Sequence, residues 1–337
     1  MKKHFLTLLL AALLLSGCAS DPEAGKSSSV YLTSMDTVMQ LTAYGRGRDA
    51  ALAEAQAEIQ RLDALLSTGS AQSEVSQLNA QGSLVLSQDT GDLLQEALAL
   101  AQDTDGLFDI TVYPVVKLWG FYDKTYHVPT EAELTSAMAL VGYQQVGYNG
   151  ETKTATLGQG QSIDLGGIGK GYTSQRVTDI LKTAGIQSAM VSLGGNVQCL
   201  GTKPDGTPWS IGIRDPWNSQ SGIYCAVSIT DKAVITSGGY ERFFQQDGKT
   251  YLHILDPRTG YPAESGLSSV SIVSSDGTLG DGLSTALYIM GLETASDYWR
   301  AHKEEFDAVL IGDDGTLYAT EGLRGSIRSE HEIRFIS

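Results

Sequence analysis

The stretch SIDLGGIGKGYT, Ser162–Thr173, sets four glycines and a lysine behind Asp164. That combination suits a phosphate compound. Glycines let the backbone come close to a ligand, and a lysine holds phosphate as a point charge. Spacing excludes two familiar phosphate loops. A P-loop needs G-x-x-x-x-G-K-(S/T), but Gly169-Lys170 is followed by Gly171, and Asp164 stands where the opening glycine belongs. A dinucleotide fingerprint needs G-x-G-x-x-G, and after Gly167 and Gly169 the third position is Tyr172. Helical spacing follows in Tyr172, Val177, Ile180 and Leu181 and ends at Gly185, a residue type that closes helices. A glycine-rich turn feeding a helix N-terminus is an anion site. A tight turn leading into a helix, with no ligand, is the alternative that this stretch leaves open.

Four further stretches carry groups capable of chemistry. In GLFDITVYPVVKLWGF, Gly106–Phe121, Asp109 stands behind Phe108 at the exit of a helix, and Trp119, Phe121 and Tyr122 add aromatic area. Core packing accounts for most of its apolar residues. TSGGYERFF, Thr236–Phe244, reads as a turn. HILDPRTG, His253–Gly260, sets a histidine before a strong turn composition, where a structural role is the alternative to a catalytic one. In GDGLSTALYIMG, Gly280–Gly291, Asp281 and Thr285 are four apart and share one helix face. With a backbone carbonyl they make a hard oxygen site suited to Mg²⁺ rather than zinc. A helix-capping aspartate and a buried threonine is the alternative. A serine hydrolase is excluded, because Gly282-Leu283-Ser284-Thr285-Ala286 ends in alanine and its serine lies inside a helix. Zinc is not expected: His4, His127, His253, His302 and His331 are scattered without ligand spacing.

These groups must be positioned by a chain of 337 residues with a formal charge of −16. Its start, MKKHFLTLLLAALLLSGCAS, has a basic end and an apolar run at Phe5–Leu15. The run is shorter than the ~20 residues of a spanning helix and reads as a secretory signal. Leu15-Ser16-Gly17-Cys18 resembles the lipobox of bacterial lipoproteins, which implies cleavage before Cys18 and a lipid on its sulfur; an ordinary signal with an incidental cysteine is the alternative. We therefore expect residues 1–17 to be a signal peptide, residues 18–30 a tether and residues 31–337 the functional domain, lipid-anchored on the extracytoplasmic face of the cell membrane. Losing Lys2 and Lys3 takes the charge from −16 to −18, which disfavours nucleic acid and anionic headgroups as partners. Cys199 and Cys225 are too few for a disulfide framework; they either pair, if their strands are neighbours, or stay buried as small apolar residues, and burial is expected.

A strand is expected over Val30–Tyr44. A helix follows, capped by Asp49, with Leu52, Ala55, Ile59, Leu62 and Leu66 at helical spacing. Ser67–Gln81 is polar, Leu93–Ala101 reads as helix, and Thr130-Glu131-Ala132-Glu133 is a capping box. Strands begin near Val141, with Asp-Gly hairpin signals at 205–206, 247–248 and 314–315. Helices return at Asp281–Met290 and Thr294–Lys303. Without regular βαβ alternation the class is α+β.

In chain order the motifs read M-D-T (Met35–Thr37), L-S-T-x₅-E-x-S-x-L-N (Leu66–Asn79), G-L-F-D-I-T-V, D-L-G-G-I-G-K-G-Y, S-L-G-G-N (Ser192–Asn196), T-S-G-G-Y-E, H-I-L-D-P-R-T-G and D-G-L-S-T-A. Together they resemble the ApbE family of FAD:protein FMN transferases, from about Met35 to about Gly291. The resemblance implies that the phosphate compound is FAD and that its FMN half passes to a threonine or serine of an acceptor protein, releasing AMP. Acceptors would carry a segment like (S/T)-G-A-T-(S/T), as in membrane redox complex subunits or exported electron carriers. It further implies that Asp164 and Lys170 contact FAD, that Met35 and Leu107-Phe108-Asp109 line its adenine and ribose end or the neighbourhood of that end, and that Gly167, Asp281 and Thr285 hold Mg²⁺. Ser284 stands where some members have a second metal carboxylate. His253 would assist the attacking hydroxyl. Gly69 departs from the tyrosine that many members pack against the flavin, which removes a wall and favours water. Two alternatives follow: an FAD pyrophosphatase giving FMN and AMP, and a non-catalytic FAD-binding lipoprotein.

Overall fold

The computed structural model describes residue 23, residues 25–218 and residues 222–337. The expected signal peptide, Cys18 and most of the expected tether lie outside the described residues. Ser27–Ser34 is a strand, so residues 27–30, expected in the tether, belong to the sheet. Nine strands form one sheet whose spatial order is also their chain order: Ser27–Ser34, Thr37–Tyr44, Ala189–Leu193, Asn196–Leu200, Ala233–Gly238, Leu267–Ser274, Phe306–Gly312, Leu317–Thr320 and Ile333–Ile336. Neighbours run antiparallel except the last pair, which is parallel.

The sheet is covered on both faces, and the alternation of its central strands shows it. Val270, Ile272, Ala308 and Leu310 point into one core with Leu62, Leu100 and Leu287 from the helices and Phe108 from a loop. Val273, Val309 and Ile311 point into a second core with Trp209, Ile211, Cys225 and Val227. This is the period of two expected when successive side chains leave opposite faces. The second layer is the small antiparallel sheet of Trp209–Arg214, Ile223–Ile229 and Ile327–Ser329. Helices and sheets are mixed without βαβ order, so the chain is α+β. Cys199 and Cys225 are free and buried, and burial pushes both thiols up to about 12.

Several elements differ from the sequence expectation. The single strand over Val30–Tyr44 is a hairpin, with Ser34 facing Thr37 across a two-residue turn. Met35 and Asp36 both have positive φ, 48° and 57°, the twist that tight hairpins need. Such a turn normally carries Asn-Gly or Asp-Gly, so Met-Asp gave no signal. Asp63 holds it, accepting from Ser34 Oγ at 2.6 Å and from Met35 N at 3.1 Å. The next helix, Arg48–Leu66, is entered at Gly47, and Asp49 sits in its first turn rather than at the cap. The polar stretch Ser67–Gln81 contains a helix, Glu74–Gln81, capped by Ser73. The capping box at Thr130 forms as expected. The Asp-Gly pairs at 247–248 and 314–315 close hairpins, but 205–206 joins strands of different sheets. One helix, Gly277–Ala301, replaces the two expected, with a break at Gly291.

Two helices matter most for the site, Gly166–Thr183 and Gly277–Ala301. They touch where both carry glycine: a Cβ on Gly171 would lie 2.1 Å from Gly277 O and 2.6 Å from Asp281 Cβ. Gly171→Ala is therefore expected to force these backbones apart and destabilise the protein by about 1–3 kcal/mol, read as a lower denaturation midpoint. An unchanged midpoint would show that the crossing has slack.

Candidate active site

The glycine-rich run is not a turn before the helix. Gly166 and Gly167 are its first residues, so the motif forms the helix start itself. Asp164 Oδ1 accepts from Gly166 N at 2.9 Å, and Asp164 N donates to Ile110 O at 2.9 Å. The second bond ties the run to the Gly106–Phe121 stretch. Gly167 is needed for contact: a Cβ there would lie 3.2 Å from the Phe108 ring. Phe108 is buried beneath it, a burial that contributes about 1.5–3 kcal/mol. Desolvation by the enclosing walls pushes the Asp164 carboxyl up, against the pull of Gly166 N–H, Arg242 and Lys170.

Asp281 does not cap its helix. Asp276 does, accepting from Leu279 N at 3.0 Å, which removes the capping alternative. Asp281 is 5 % exposed, yet it is engaged from two distant segments. Its Oδ1 accepts from Asn196 Nδ2 at 2.9 Å and its Oδ2 from Gly171 N at 2.8 Å. Each carboxylate oxygen retains a lone pair. Thr285, four residues on, lines the same cavity as Asp281 and Gly167. This set of one carboxylate, one hydroxyl and one backbone carbonyl fits a hard cation such as Mg²⁺. Ser284 is placed otherwise than expected for a ligand. It is fully buried and outside the cavity lining, with Oγ donating to Asp281 O at 2.8 Å and bonded to Ser237 Oγ at 2.8 Å. Its hydroxyl is committed to holding the helix.

The Phe243–Gln246 and Lys249–Leu252 hairpin positions His253. Its register continues one step, with His253 N donating to Arg242 O at 3.1 Å. The ring adds a second contact, His253 Nδ1 to Arg242 O at 3.1 Å. A carbonyl only accepts, so Nδ1 carries the proton and Nε2 keeps its lone pair. Desolvation, then the Arg242 guanidinium and the Lys170 ammonium, lower the imidazole to about 3, opposed by the carbonyl contact. His253 is neutral at physiological pH.

These side chains surround two adjoining cavities. The first, of about 190 Å³, is lined by Leu107, Phe108, Asp109, Gly167, His253, Asp281 and Thr285 among others. The second, of about 480 Å³, is lined by Met35, Leu66, Gly69 and Tyr122 among others. Val116, Phe121, Asp164, Gly166, Lys170 and Arg242 line both. Met35 is thus separated from Leu107-Phe108-Asp109, with which it was expected, because the Met35–Asp36 turn reaches only the second cavity. The Asp109 carboxylate is occupied, accepting from Thr111 N, Thr111 Oγ1 and Tyr143 N at 2.8, 2.6 and 3.0 Å. Desolvation pushes it up against those bonds, and it orders the loop behind the cavity.

The sequence reading passed over Asn196, Ser237, Glu241 and Arg242, all of which line the first cavity. Three of them lie in the TSGGYERFF stretch, read as a simple turn. The signal available was its unpaired arginine and glutamate in a run otherwise fit for a strand.

The sequence profile of the ApbE family matches residues 35–310. The chain belongs to the ApbE family. An FAD:protein FMN transferase of Klebsiella pneumoniae (strain 342) is 35 % identical over 257 residues, covering 75 % of this chain and 79 % of that one. One from Vibrio cholerae is 32 % identical over 322 residues, covering 93 % and 95 %. The crystal structure of the ApbE protein from Thermotoga maritima superposes with a TM-score of 0.84 at 29 % identity, covering 90 % of this chain and all of that one. The ApbE motifs are the segments that the fold brings to the two cavities.

Proposed function

We propose that this chain is an exported, Mg²⁺-dependent FAD:protein FMN transferase. It joins the FMN half of FAD to a threonine or serine hydroxyl of an acceptor protein and releases AMP. One observation carries the reading: His253, the oxygen donors Asp281, Thr285 and Gly167, and the cations Lys170 and Arg242 converge on one cavity. Neither cation has an ion-pair partner among the described residues, although the chain carries −16 overall. Two unpaired cations in an acidic protein favour a polyanionic ligand.

The chemistry follows from these groups. The acceptor oxygen attacks the phosphorus of the FMN half. His253 Nε2 takes the hydroxyl proton. The P–O bond to the AMP phosphate breaks, and AMP leaves with that electron pair. Lys170 and Arg242 hold the diphosphate oxygens at the junction of the two cavities. Mg²⁺, held by Asp281, Thr285 and the Gly167 carbonyl, would neutralise the charge that makes a diphosphate resist nucleophiles. Binding of negative phosphates beside His253 raises its basicity toward the working range.

The leader and the lipobox-like Leu15–Cys18 support an anchor through Cys18 on the extracytoplasmic face. The acceptor is expected to carry an (S/T)-G-A-T-(S/T)-like segment, as a membrane redox complex subunit or exported electron carrier would. The test is mass spectrometry of such an acceptor domain incubated with the protein, FAD and Mg²⁺, with AMP and free FMN followed in parallel. A mass increase equal to FMN, matched by AMP, is expected. AMP with free FMN and unmodified acceptors would favour the FAD pyrophosphatase reading. FAD binding without turnover would favour the non-catalytic lipoprotein.

A further inference from the structure

The second cavity has an aromatic face that position 69 does not supply. The chain turns at Gly120, whose φ is +73°, and presents Tyr122 beside Gly69. The Tyr122 hydroxyl donates to Thr68 O at 3.0 Å. Its ring meets Tyr113 in an edge contact, centroids 5.7 Å apart at 80°. The side chain is tied at its hydroxyl and braced at its ring, yet it stays 43 % exposed. An aromatic ring held in this way offers an open face for stacking a flat group. Gly69 borders the same space: a Cβ there would lie 3.7 Å from the Tyr122 hydroxyl oxygen, at ordinary contact distance.

We propose that Tyr122 is the stacking residue for the isoalloxazine of bound FAD, filling from a separate loop the role that Gly69 cannot. The inference rests on the FAD reading above. Lys170, Arg242, Asp164 and Gly166 line both cavities, so a diphosphate held there sends one flat ring to each side. The second cavity, about 480 Å³ against about 190 Å³, takes the larger, three-ring system. Tyr122 is the aromatic residue of that cavity absent from the first. Its hydroxyl is already bonded, so the ring face is what it presents. The wall whose loss pointed to hydrolysis is thereby restored from elsewhere in the fold.

The test titrates the full chain with FAD, FMN and ADP separately, without acceptor, in the unaltered protein and in three variants. Tyr122→Ala is expected to weaken FAD and FMN about tenfold, the scale of one lost aromatic stack, and to leave ADP unchanged. Tyr122→Phe keeps the ring and should bind FMN close to the unaltered protein. The double variant Gly69→Tyr, Tyr122→Gly moves the ring to the neighbouring position and should recover most of the FMN affinity. Unchanged FMN binding in Tyr122→Ala overturns the proposal, as does equal loss of FMN and ADP, which marks general damage or the reverse orientation. No FAD binding by the unaltered protein overturns the FAD reading and this proposal with it.

Discussion

Asp281→Ala is expected to lower FMN transfer by at least about a thousandfold, the upper range for removing one preorganised electrostatic group. Two losses combine. The cavity loses the one carboxylate of its hard-cation set, because Gly167 and Thr285 offer only neutral oxygens. It also loses the acceptor that holds Gly171 N and Asn196 Nδ2 at 2.8 and 2.9 Å. A buried donor left without a partner costs about 1–3 kcal/mol, so the variant should also denature earlier. Asp281→Asn separates the two effects. It keeps the shape and one oxygen acceptor but not the charge, so the fold should survive better than the activity. The measurement is transfer rate against Mg²⁺ concentration for both variants, beside their denaturation curves. Full turnover of Asp281→Ala at low Mg²⁺ would remove Asp281 from the metal site.

His253→Ala should slow transfer by about 10²- to 10⁴-fold, the usual range for a general base, while FAD binding changes little. Its carbonyl contact fixes the ring with Nε2 as the acceptor, and the alanine variant has no group at that place. The pH profile gives a sharper test. Desolvation and the two neighbouring cations lower His253 to about 3 in the free protein. In kcat/KM, which reports the free enzyme, the acid limb from His253 should therefore fall far below the ordinary imidazole value of about 6.5. The sign is that of a depressed base: the neutral, competent form persists as pH falls through 6.5 and is lost only near 3. An inflection near 6.5 that disappears in His253→Ala would show that the imidazole titrates normally and is open to solvent.

Much of the site was legible in the sequence because its groups sit in local motifs. Asp164, Gly167 and Lys170 share one helix start, and Asp281 with Thr285 shares one helix face, so spacing alone brought each set together. The hairpin at 247–248 was equally local and carries His253. The misses have the opposite character. Met35-Asp36 forms a turn that neither residue type announces, because Asp63, far along the chain, supplies the hydrogen bonds that hold it. Arg242 looked like part of a turn until the hairpin register set it opposite His253. Ser284 looked like a ligand by position, but Ser237 from a sheet strand claims its hydroxyl.

The sequence by itself offered the candidate groups, glycines with a lysine for phosphate and one carboxylate with a hydroxyl for a hard cation, and the family resemblance added His253 for a proton. It also determined the helix carrying Leu52, Ala55, Ile59, Leu62 and Leu66, all buried, since that pattern depends only on the local helical period. The tertiary structure alone decided which of these groups meet. Gly171 and Gly277 let two helices approach closely enough for Asp281 to reach a backbone N–H across the gap. Tyr122 stands beside Gly69 only because the chain doubles back at Gly120. Such contacts link residues far apart in the chain, and no local spacing encodes a distance that packing sets.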